Sequence, residues 1–190
     1  MPSLATALGS SGDRPAALAA LMGVIVNDGR RLPTQRITEL HFAAATPYET
    51  HFRRIDVTAE QVMLPEVARA LREALGQVVE AGTARRLAGV FRLPDGTALA
   101  AGGKTGTGDN RIVTSGEKGR NSVALNRTAT FVFYLGQRHY GTLTAYVTGS
   151  TAGDYRFTSA LPVQILKEMA PILRPWLDPE VADRCEDAVP

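Results

Sequence analysis

Apolar residues fill nearly every position of PAALAALMGVIV, residues 15–26, and no polar stripe interrupts them. A run apolar on all sides predicts a buried helix rather than an amphipathic one. Pro15 suits its first turn, Asp13 its cap, and Gly29 the position just past its end, so the helical segment reads as 15–29. TQRITELHFAA, residues 34–44, alternates imperfectly and reads as a strand. Residues 47–57 mix charge with Tyr48 and Phe52 and read as loop or irregular strand. Across residues 59–81 the period changes to that of a helix. Leu64, Val67, Leu71, Leu75, Val78 and Val79 recur at three- and four-residue steps and make one apolar stripe. Pro65 marks the first turn of its main part, and Gly82 and Thr83 stop it.

Three strands follow, at 97–107, 128–136 and 140–149. The last is the clearest, with Leu143, Ala145 and Val147 alternating against Thr142, Thr144, Tyr146 and Thr148. QRH joins the second and third as a short hairpin loop. Residues 108–127 are polar, contain glycine and are too long for a tight turn, so they predict a long loop of functional or mobile character. A final helix is expected at 158–173, capped by Thr158 or Ser159, with an extended tail from Arg174. Helix, strand, helix, three strands, helix is the order of an α+β domain, an antiparallel sheet covered by helices.

Composition narrows the picture. The chain has 190 residues, 44% of them hydrophobic, which suffices for one domain with a real core. Charged residues at 21% and a net charge of +2 exclude wholesale disorder. Basic residues cluster only as the pairs Arg30-Arg31, Arg53-Arg54 and Arg85-Arg86, which mark solvated faces and give no nucleic-acid surface. The single cysteine, Cys185, builds no intramolecular disulfide. His41, His51 and His139 are scattered and form no His-Glu-x-x-His helix, so each reads as a surface or half-buried imidazole. Neither metal nor cofactor is expected. The first fifteen residues lack a basic region followed by an apolar stretch, and no apolar run is long enough to span a bilayer.

The candidate chemistry lies in AGGKTGTGDNR, residues 101–111. A phosphate loop needs Gly, four residues, then Gly-Lys-Thr. Gly103-Lys104-Thr105 ends that pattern, but residue 98 is alanine and no helix start follows. A bland reading is also open, since glycine in a strand marks a bulge or a close backbone approach. The third reading is a groove for acyl transfer. Such a groove needs a cation for a substrate carboxylate and N–H donors for the oxyanion. Lys104, Thr105, Gly106 and Thr107 meet that need in type and order. Strand alternation puts Lys104 and Gly106 on one face and Thr105 and Thr107 on the other, so a twist or bulge is expected to bring Lys104 and Thr107 to one site.

KTGT on a strand resembles the third motif of the penicillin-binding transpeptidases and serine β-lactamases. Its flanks sharpen the likeness. LGSSGDRPAALAALMGVIVNDGRRLPTQRI, residues 8–37, resembles the family segment in which Leu-Gly precedes a Pro-x-x-x-Ala helix that ends in a glycine turn and a strand. VVEAGTARRL, residues 78–87, resembles the helix end carrying Gly-Thr-Ala upstream of the KTG strand in bifunctional (class A) members. TATFVFYLG, residues 128–136, is similar to the strand that follows. The likeness runs over most of residues 4–173.

The resemblance implies a β-lactamase/transpeptidase-like fold and a peptidoglycan D,D-transpeptidase. Such domains acylate a serine with the D-Ala-D-Ala end of a stem peptide and pass the peptide to an amine, and β-lactams trap the same serine. It implies that Lys104 sets the electrostatics of the groove, that Thr105 and Thr107 contact the substrate or drug carboxylate, that Thr107 N–H forms half of the oxyanion hole, and that Gly106 leaves room for the ligand. The family also carries Ser-x-x-Lys and Ser-x-Asn before the KTG strand. This sequence has no Ser-x-Asn, and its one Ser-x-x-Lys, Ser115-Gly116-Glu117-Lys118, follows the KTG strand and lacks an apolar helical face. The expectation is therefore an incomplete domain. Residues 1–175 form the C-terminal portion of a transpeptidase domain and 176–190 a tail, with the nucleophile on an upstream segment. Such a protein would work at the periplasmic face of the inner membrane. An incomplete core exposes apolar surface, so self-association is expected. A non-catalytic binding module of the same fold and a nucleotide-binding protein are the competing readings.

Overall fold

The computed structural model describes residues 13–37, 39–53, 58–116, 119–149 and 151–177. Pro15 opens helix α1 (Pro15–Val26) at its first turn, as its preset φ favours. The N-cap is Arg14 and makes no side-chain cap hydrogen bond. Asp13 thus stands one residue short of the expected cap. After the last turn, Gly29 adopts φ +84°, and a Cβ there would overlap the Met63 carbonyl oxygen. Arg30–Arg31 (β1) then pairs with Glu60–Gln61 (β4) in a two-stranded ribbon. Between them, Glu39–Phe42 (β2) and Thr50–Arg53 (β3) form a separate antiparallel hairpin.

Helix α2 (Pro65–Glu80) is shorter than the expected 59–81. Pro65 bars the α conformation for the residue before it, and Leu64 is extended at ψ 136°. The preceding residues join the β4 ribbon instead. A 3-10 turn at Arg85–Leu87 leads to the main sheet. That sheet comprises β5 (Ala101–Gly108), β8 (Asn126–Leu135) and β9 (His139–Thr148), in the order β5-β8-β9 and antiparallel throughout.

Residues 108–127 are not a structureless loop. Arg111–Gly116 (β6) and Gly119–Ala124 (β7) pair antiparallel from Arg111↔Ala124 to Gly116↔Gly119. Cross-strand pairing of Ile112 with Val123 and a Leu125 N–H to Asn110 carbonyl bond of 2.7 Å close the base of this hairpin. The last helix, α3 (Ala160–Leu177), also departs from expectation. It runs through Pro171 and Pro175 to Leu177, whose burial in the core ties down the final turn. The tail expected from Arg174 is therefore helical as far as Leu177, and the remainder of it lies outside the described residues.

Helices cover both faces of the three-stranded sheet. On one face Phe131 and Leu135 pack with Val163, Leu166 and Ala170 of α3 and with Leu87 and Phe91. On the other, Tyr134 packs with Met22 and Val26 of α1 and Leu75 of α2. Tyr134 Oη donates to the Arg72 carbonyl oxygen at 3.0 Å, and burial pushes its phenol pKa up. The expectation that α1 is buried all round holds only for Met22–Val26. Only that half reaches the sheet, where Gly23 seats against the Tyr140 ring. The apolar stripe of α2 divides in the same way. Val79 is buried, whereas Leu64, Val67 and Leu71 lie exposed.

Candidate functional site

Strand β5 is an edge strand, bonded to β8 on one side and to no other described strand. Its eight residues pair one to one with β8, from Ala101↔Leu135 to Gly108↔Thr128, and no bulge interrupts them. The expected bulge is absent because Gly102 and Gly103 serve packing instead. A Cβ at Gly102 would overlap the Tyr134 ring, and one at Gly103 would overlap the Val132 carbonyl oxygen and lie 2.7 Å from Phe131 Cε2. These two glycines let β5 lie flat against β8 and its large aromatic side chains. Lys104 and Gly106 consequently share the face of Val132 and Thr130, while Thr105 and Thr107 share the face of Phe131 and Ala129. The four residues divide between the two faces of the edge strand.

The outer half of β5 is open. A Cβ built on Gly106 or Gly108 would meet no atom within 4 Å. Lys104 is exposed, and its Nζ donates to the Thr105 carbonyl oxygen at 2.6 Å. Thr105 Oγ1 lies 2.7 Å from Thr83 Oγ1. Thr107 Oγ1 accepts the Ser159 N–H at 2.8 Å, just before α3 begins. A hydroxyl has two acceptor sites and one proton. Among the described residues the Thr107 hydroxyl is thus engaged as an acceptor.

Thr83 and Ser159 did not stand out from the sequence as site residues. Thr83 belongs to Gly82-Thr83-Ala84, just past α2, and the fold carries that segment to the KTGT strand. Arg111, just past the motif, is committed within the β6–β7 hairpin. It pairs with Asp109 at 2.6 Å and donates to Ser122 Oγ at 2.8 Å across the β6–β7 hairpin. Ser115 lies on strand β6, opposite Arg120, rather than at the head of a helix. Glu117 and Lys118 fall outside the described residues.

Two further features are separate from β5. An apolar cleft of about 380 Å³ lies between the sheet and α3, lined by Phe133, Leu143, Met169, Leu173 and Trp176 beside His139, whose pKa burial lowers. None of Lys104–Thr107 lines it. The second feature corrects the reading of scattered histidines. His41 and His51 are direct cross-strand partners on β2 and β3, with ring centroids 3.7 Å apart. Both Nε2 atoms approach Glu49 Oε1, at 2.8 and 3.1 Å. Hydrogen bonds from His51, the Ala45 N–H and His41 hold the Glu49 carboxyl down at about 2. Those to Glu39 and Glu49 raise the pKa of His51. Spacing along the chain does not reveal this group, because cross-strand register assembles it.

No family model and no curated protein matches the sequence. Solved structures do. Penicillin-binding protein 2B from Streptococcus pneumoniae (strain R6) aligns with a TM-score of 0.52 at 16% identity, over 85% of this chain and 25% of that one. Penicillin-binding protein 3 from Mycobacterium tuberculosis, solved with aztreonam, gives 0.47 at 16% identity over 82% of this chain and 33% of its own. The D,D-transpeptidase domain of a peptidoglycan glycosyltransferase from Eggerthella lenta gives 0.48 at 17% identity over 80% and 30%. The chain therefore spans a third or less of the length of these three structures. The α+β class expected from the sequence holds, and the fold resembles part of penicillin-binding protein 2B.

Proposed function

We propose that this chain is the C-terminal part of a peptidoglycan D,D-transpeptidase domain and supplies the KTG wall of its acyl-transfer site. One observation carries the reading: in a penicillin-binding-protein fold, Lys104-Thr105-Gly106-Thr107 lies on an edge strand and is joined through Thr105 to Thr83 of the Gly-Thr-Ala segment. An edge strand offers backbone N–H and C=O groups to an extended peptide, and the open space over Gly106 admits one. The stem peptide ending in D-Ala-D-Ala, and β-lactams in its place, are the ligands of this reading. The Lys104 ammonium and the Thr105 and Thr107 hydroxyls receive the carboxylate, and the Thr107 N–H contributes to the oxyanion hole. The bifunctional type rests on residues 78–87, and an extracytoplasmic location follows from the substrate.

The nucleophile and its base belong to a segment carrying Ser-x-x-Lys and Ser-x-Asn. Exposed Leu64, Val67 and Leu71 on α2, with Leu21 on α1, give that segment an apolar surface to cover. Alone, the chain is expected to self-associate through the same residues, and a clean monomer by light scattering would count against that. The central test is incubation with a reactive penicillin followed by intact mass. The chain alone is expected to gain no adduct, and the protein that includes the upstream segment is expected to gain one per molecule. A stoichiometric adduct on the chain alone would place a nucleophile here, with Ser115 the first residue to replace. No adduct on either would favour the second reading, a binding module that keeps the fold without the chemistry.

A further inference from the structure

We propose that the β2–β3 hairpin is a zinc-class divalent-metal site formed by His41, Glu49 and His51. The three residues each bring one ligand atom, and these atoms lie within 4.8 Å of one another. Two neutral nitrogens and one carboxylate oxygen are a donor set that suits zinc, with water in the fourth position. With ligands about 2.0–2.2 Å from the ion, the edge of a zinc tetrahedron is about 3.3 Å. Glu49 Oε1 already stands 2.8 Å from His41 Nε2 and 3.1 Å from His51 Nε2, so two of the three edges are close to that length before any ion enters.

The surroundings hold these atoms in place. His51 Nδ1 lies 3.0 Å from Glu39 Oε1, which selects the tautomer that leaves the Nε2 lone pair for the ion. Glu39 is in turn paired with Arg53 at 3.2 Å. Glu49 Oε2 accepts the Ala45 N–H at 2.9 Å, which fixes the carboxylate and turns Oε1 toward the rings. Ala43 and Ala45 sit at φ +52° and +59°, the strained bend that delivers this N–H. The hairpin also needs a tie. Register puts Leu40, Phe42 and Phe52 on the opposite face, and all three are exposed. An isolated two-stranded ribbon is only marginally stable. A metal bridging His41 and His51 would join its strands directly.

The test is a zinc titration of chelator-stripped protein at pH 7.5 in competition with a chromogenic chelator. Cobalt(II) serves as the spectroscopic probe. One equivalent of zinc is expected to bind at micromolar affinity or tighter, and cobalt(II) to give the intense visible bands of a tetrahedral site. His41→Ala and His51→Ala should each remove that equivalent. Glu39→Gln, which alters only the residue positioning His51, should weaken it about 10- to 100-fold. All of these side chains are on an exposed hairpin, and far-ultraviolet circular dichroism checks that the variants keep the fold. Absence of a one-to-one site in the parent protein overturns the proposal. So does zinc binding that survives in the His41→Ala/His51→Ala double variant, which would assign the ion to His139 or Cys185.

Discussion

Phe131→Ala is expected to lower the stability of the domain by about 3–5 kcal/mol. Among the described residues Phe131 is the largest fully buried side chain, at 0% exposure. It reaches from the central strand β8 into the cluster that joins α3 to Leu87 and Phe91, and it stacks beside Phe133 at a centroid distance of 5.8 Å. Its ring also passes beneath Gly103, where β5 has no side chain to fill the space left behind. Collapse around the truncated residue is therefore poor, and the cavity cost adds to the lost transfer energy. A domain of this size is stable by about 5–15 kcal/mol, so the variant would be partly unfolded or shifted far down in urea midpoint. Urea denaturation followed by circular dichroism measures this. A loss below about 1 kcal/mol would show that the sheet does not rest on this ring.

Backbone constraints were the legible part of the fold. Pro15 and Pro65 set helix starts that the structure keeps, whereas α1 ends at Val26 with Asn27 as its C-cap, three residues before Gly29. The alternation of β9 was equally plain, since one of its faces meets helices. What depended on partners was not legible. The β6–β7 hairpin has only Ile112, Val113, Thr114 and Val123 as strand-forming residues, and its pairing supplies what its composition lacks. The extended tail expected from Arg174 is overridden as far as Leu177 by the burial of that residue. At the site, alternation correctly separated Lys104 from Thr107. The bulge invoked to reunite them is absent because Gly102 and Gly103 answer to Tyr134 and Phe131. Thr83 reached the strand only through tertiary packing, which no spacing along the chain records.

Lys104→Ala, made in the protein that includes the upstream segment, is expected to slow acylation by penicillin about 10²- to 10³-fold. Removing a charge fixed beside the reacting groups costs that much where developing negative charge is stabilised in a site closed to water. Lys104 is exposed, and among the described residues its side chain hydrogen-bonds only to the Thr105 carbonyl oxygen. The substitution should therefore leave stability within about 0.5 kcal/mol of the parent. That separation makes the test decisive, because a slow variant with an unchanged melting curve has lost chemistry rather than structure. Thr105→Val is the instructive companion. It removes one hydroxyl that already faces Thr83, 2.7 Å away, so it should cost less than Lys104→Ala and weaken ligand binding more than the acylation step. Lys104→Arg should recover part of the rate, since it keeps the charge and changes the reach. Rates are read by stopped-flow with a fluorescent penicillin. If Lys104→Ala acylated at the parental rate, β5 would not be the wall of the reacting site. The open space over Gly106 would then belong to binding without catalysis.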